Sequence, residues 1–70
     1  MAIDGERLAG LVEAVETTAR RHIALGVAHT LKTVNTAGGL TASDFTEADA
    51  AEAEWIAAND ALADYRATSF

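Results

Sequence analysis

Asn35-Thr36-Ala37-Gly38-Gly39 is the break on which the fold turns. Glycine accepts the left-handed backbone that ends a helix, and asparagine tolerates it. On either side the chain contains no proline and keeps a helical rhythm. Before the break, Leu8, Leu11, Val12, Val15, Ala19, Ile23, Val27, Leu31 and Val34 recur at short intervals dominated by threes and fours. That rhythm predicts one long amphipathic helix over about 4–34, with Asp4 as its N-cap. After the break, Ala48, Ala51, Trp55, Ala58, Leu62 and Tyr65 follow a strict 3-4-3-4-3 spacing, the pattern of a seam between packed helices. A main helix is expected over about 46–67, capped near Thr46. The connection spans about 35–45, with Thr41 to Phe45 as a short helical turn after the Gly-Gly break.

The two halves differ sharply in charge. Up to Asn35, Asp4, Glu6, Glu13 and Glu16 are balanced by Arg7, Arg20, Arg21 and Lys32. From Thr36 onward seven acids (Asp44, Glu47, Asp49, Glu52, Glu54, Asp60, Asp64) face Arg66 alone, so the whole formal charge of −6 belongs to the second half. Clustered Lys and Arg, which nucleic acid and anionic lipid demand, are missing, and no direct nucleic-acid contact is expected. The longest unbroken run of apolar residues and glycine is Ile23 to Ala28, too short for the ~20 residues of a membrane span. The opening Met1 to Glu6 is acidic where a secretory leader is basic and then apolar. A cytoplasmic protein, or one within a virus particle, is expected.

Seventy residues make one small domain that buries only roughly 60% of the surface of its unfolded chain. Disulfides, a metal or oligomerisation usually supply the rest. With no cysteine, disulfides and thiolate metal sites are excluded. The expected architecture is therefore all-α: a helical hairpin of two long helices, completed by oligomerisation or by a partner. The residues expected at interfaces are Leu8, Val12, Val15, Ile23, Gly26, Val27, Leu31, Trp55, Ile56, Leu62, Tyr65 and Phe70. Gly26 interrupts the first helix at a cost of roughly 1 kcal/mol relative to alanine. A close backbone crossing, with Trp55 or Phe45 filling the notch, would account for it. Alanine contributes 17 residues, and Ala50, Ala53, Ala57 and Ala61 form a further small-residue stripe on the second helix.

Chemistry is hard to place on this chain. His22 and His29 stand about 10.5 Å apart along a helix axis, too far for one metal ion, and neither has a second ligand at three or four residues. The acids from Asp44 to Glu54 lack the alternating oxygen ligands and glycine of a calcium loop. Ser43 and Ser69 have no base set to activate them, and Ala37 to Thr41 lacks the lysine of a phosphate loop. No catalytic residue, metal or cofactor is expected. Two roles fit: a non-enzymatic structural or assembly subunit, such as a virus or phage particle component, and an acidic regulator or inhibitor of a basic protein surface, antitoxin-like or a nucleic-acid mimic. A third arrangement is a four-helix-bundle dimer holding a ligand near His22.

Overall fold

The computed structural model describes residues 4–69. Helix α1 is Gly5–Asn35 and helix α2 is Ala42–Ser69, and they pack side by side as an antiparallel hairpin. Asp4 caps α1 as its sequence position suggests: the backbone is extended, and Oδ1 accepts from the N–H groups of Glu6 and Arg7 at 3.0 and 3.1 Å. Such a cap is worth about 1 kcal/mol.

The stop differs from the expected glycine cap. The C-cap of α1 is Thr36, in extended conformation, with its N–H on the Lys32 carbonyl at 2.9 Å. The left-handed residue is Gly39, at φ 62°, where the chain turns toward α2 and the Gly39 N–H bonds the Thr36 carbonyl. Helix α2 also starts earlier than expected and contains no separate turn. Thr41 and Asp44 form a reciprocal capping box: the Thr41 N–H donates to Asp44 Oδ2 at 2.8 Å, and the Asp44 N–H donates to Thr41 Oγ1 at 3.2 Å. Thr46 has no capping role, because its hydroxyl donates to the Ala42 carbonyl inside the helix. Of two similar Thr-x-x-Asp signals, the first wins because Lys32 Nζ also reaches Asp44 Oδ2, at 2.6 Å.

The hairpin measures 57 × 15 × 13 Å, with a radius of gyration of 16.1 Å, against roughly 11 Å for a compact domain of this length. Two helices in contact have only one shared seam, so little can be fully buried. Among the described residues only Ala51 and Tyr65 are buried. The half-buried positions trace the seam. On α2 they are Asp44, Ala48, Trp55, Ala58, Leu62 and Ser69, which with Ala51 and Tyr65 extend the expected heptad at both ends. On α1 they include Leu8, Leu11, Val15, Thr18, His22, Leu25, His29 and Lys32, again at strict intervals of three and four.

Contacts along the seam fix the register. At the open end, Tyr65 Oη accepts from the Asp4 N–H at 2.9 Å and donates to the Asp4 carbonyl at 3.1 Å, while Arg7 lies over the Tyr65 ring at 5.2 Å. Midway, His22 stacks on Trp55, with ring centroids 5.3 Å apart and an interplanar angle of 10°. At the closed end, Lys32 and His29 meet the start of α2.

Candidate interaction surface

A residue just before a seam position turns toward one broad face of the hairpin, and a residue just after it toward the other. Arg21 precedes His22 and Glu54 precedes Trp55, and their side chains meet at 2.6 Å. In an antiparallel pair, then, the preceding positions of both helices share one broad face. Ala24, Ala28, Ala50, Ala57 and Ala61 belong to it by the same register. The following positions share the opposite face, and these include Val12, Ile23, Phe45 and Ile56, each of which is exposed.

Further around α1, the outward row is more apolar still. Ile23 is 63% exposed, Val27 56%, Leu31 57% and Val34 77%. At 100° per residue these four fall within an arc of roughly 80°, on the side of α1 turned away from its seam with α2. No charged side chain interrupts the stretch from His22 to Leu31. The N-terminal half of α1 differs, since its outer surface carries Glu16 and Arg20, whose side chains approach to 3.9 Å.

Of the residues expected at interfaces, Leu8, Val15, Trp55, Leu62 and Tyr65 lie in the hairpin seam. Val12, Ile23, Val27, Leu31 and Ile56 lie outside it and exposed. Gly26 does not mark a crossing within the chain: a Cβ built there meets nothing within 4 Å, so neither Trp55 nor Phe45 fills a notch. Phe70 lies outside the described residues. Sequence periodicity had no means of separating the exposed row from the seam, because in the C-terminal half of α1 the row carries most of the large apolar residues while the seam runs through His22, Leu25, His29 and Lys32.

The polar cluster at the closed end is structural in character. Asp44 accepts from Lys32 Nζ, from the Thr41 N–H and from the Thr41 hydroxyl. The Lys32 bond leads these in holding its carboxyl down at about 2, below the ordinary 3.8. His29 Nε2 is buried, 3.5 Å from Glu47 Oε1 and 3.9 Å from Asp44 Oδ1, with no hydrogen-bond partner among the described residues. His22 is occupied by the Trp55 ring. Among the described residues no group of three or more His, Asp or Glu side chains is arranged to hold a metal ion, and no helix is long and apolar enough to cross a membrane.

The class defined by fold and surface is an elongated two-helix hairpin with an uncovered apolar row. No family model matches the chain, and no curated protein or solved structure matches it significantly.

Proposed function

We propose that this chain is a non-enzymatic structural or assembly subunit, a hairpin whose fold is completed when other chains cover the outward side of α1. The observation that carries this reading is the exposed row Ile23, Val27, Leu31 and Val34, in which the stretch from Ile23 to Leu31 holds no charged side chain. Contiguous exposed apolar surface is characteristic of interaction sites. The thin seam adds support: a hairpin that buries only Ala51 and Tyr65 among its described residues has little to offset the conformational entropy lost on folding. Packing of many copies into a large particle, including a virus or phage particle, suits a subunit of this size and shape.

The test is solution mass by light scattering, combined with circular dichroism, across a wide concentration range at low and high salt. A discrete oligomer that survives salt supports the proposal, since apolar contacts are not screened. A weakly helical monomer also fits, with another protein supplying the missing surface. A fully helical monomer that melts sharply on its own contradicts it.

A regulatory role on a basic partner has one observation in its favour. Among the described residues, Asp49, Glu52, Asp60 and Asp64 on α2 are exposed and take part in no ion pair. Binding through those carboxylates would weaken steeply with salt.

A further inference from the structure

We infer that the occupant of the outward row of α1 is a second copy of this chain, packed α1 against α1 in antiparallel fashion about a two-fold axis that passes between Val27 and Leu31. The inference rests on the assembly role proposed above and names its partner.

Area is the first argument. The chain exposes 4990 Å², whereas a compact monomer of 7.3 kDa exposes roughly 4,200 Å². The difference, about 800 Å², matches what each partner contributes to an interface of ordinary size. One like-sized neighbour therefore suffices to bring the hairpin to the surface economy of a compact protein.

Charge is the second. Each copy carries −6, all of it contributed from Thr36 onward, so two copies approaching through α2 would repel. The outward side of α1 lies away from α2, and its stretch from His22 to Leu31 is uncharged. Contact there leaves the acidic helices on the two outer edges of the dimer.

Register is the third. Ile23, Val27, Leu31 and Val34 are spaced so that an antiparallel crossing with Val27 of one copy opposite Leu31 of the other brings Ile23 to within one residue, about 1.5 Å, of facing Val34. The row is thus self-complementary, as a two-fold interface must be. Antiparallel α1 helices oppose their dipoles, and Arg20 of each copy reaches toward the carbonyl end of the other's α1, where partial negative charge favours it. The product is a four-helix arrangement with α1 helices at the centre.

Because the chain has no cysteine, single-cysteine variants of the full chain read this geometry directly. Val27→Cys and Leu31→Cys replace exposed residues near the axis. Asp60→Cys places a thiol on the exposed surface of α2, at an outer edge of the dimer. With a short bismaleimide, whose span covers the offset between like residues on either side of the axis, the first two should convert to covalent dimers while Asp60→Cys stays single. Val27→Glu should weaken dimerisation on the order of a hundredfold, equivalent to two decades of dissociation constant. If the unmodified protein forms a salt-resistant oligomer but neither Val27→Cys nor Leu31→Cys cross-links, the proposed interface is wrong while the assembly role stands. A weakly helical monomer that never cross-links also overturns the second copy and points to a different chain. A stable, fully helical monomer overturns both.

Discussion

Tyr65 and Asp4 close the open end of the hairpin through a two-way latch, in which one phenolic oxygen accepts from the Asp4 N–H at 2.9 Å and donates to its carbonyl at 3.1 Å. Asp4 is also the N-cap of α1, so the last turns of α2 hold the residue that caps the other helix. Tyr65→Phe keeps the ring under Arg7 and removes only the oxygen. The expected cost is about 1 kcal/mol, which for a domain this small lowers the melting temperature by roughly 4–8 °C. Amide exchange should rise most at Leu8, whose N–H bonds the Asp4 carbonyl. An unchanged melting temperature and unchanged protection there would mean the latch contributes nothing.

Asp44 should make the closed end sensitive to acid. Its carboxyl sits at about 2 rather than 3.8, held down first by Lys32 and then by the Thr41 amide. A depressed folded-state value contributes stability that is complete above the ordinary carboxylate range and is lost as pH falls through the folded value. Wild type should therefore be more stable than Asp44→Asn at pH 7, and the gap should close between about pH 4 and pH 2. A gap that stays constant over that window would show that the side chain acts through shape and capping alone.

His29 is the one place where the seam is locally inconsistent, since its buried Nε2 has no hydrogen-bond partner among the described residues. A buried polar atom left unpaired costs about 1–3 kcal/mol. His29→Leu extends the apolar seam and removes that atom, and should raise stability by about 1 kcal/mol in thermal or denaturant melts. A loss of stability instead would mean that the imidazole is engaged with Glu47 or Asp44 in solution.

How much of this was legible beforehand differs between the helices. The seam of α2 could be read directly, because Ala48, Ala51, Trp55, Ala58, Leu62 and Tyr65 keep a strict heptad that stays on one face. The apolar residues of α1 could not be assigned the same way. From Val15 onward Ala19, Ile23, Val27 and Leu31 advance in steps of four, and each such step rotates roughly 40° around the helix. By Ile23 the apolar row has left the seam, which continues instead through Thr18, His22, Leu25, His29 and Lys32. All of these but Leu25 are polar and look unsuited to a seam until partners are seen: the Trp55 ring beside His22, and Asp44 beside Lys32. The start of α2 was misplaced for a similar reason. Thr41 and Thr46 both resemble caps, and the salt bridge that favours the first comes from a residue of the other helix.

On the proposed assembly role, the outward row of α1 is covered when the protein is at work, and this cover stabilises the fold. The most direct test is the melting temperature measured over a wide range of protein concentration, for wild type and Val27→Glu side by side. Stability that depends on association rises with concentration by mass action. The melting temperature should climb with concentration in wild type and stay lower and nearly flat in Val27→Glu. A wild-type melting temperature that is high, independent of concentration and unaffected by Val27→Glu would contradict that role.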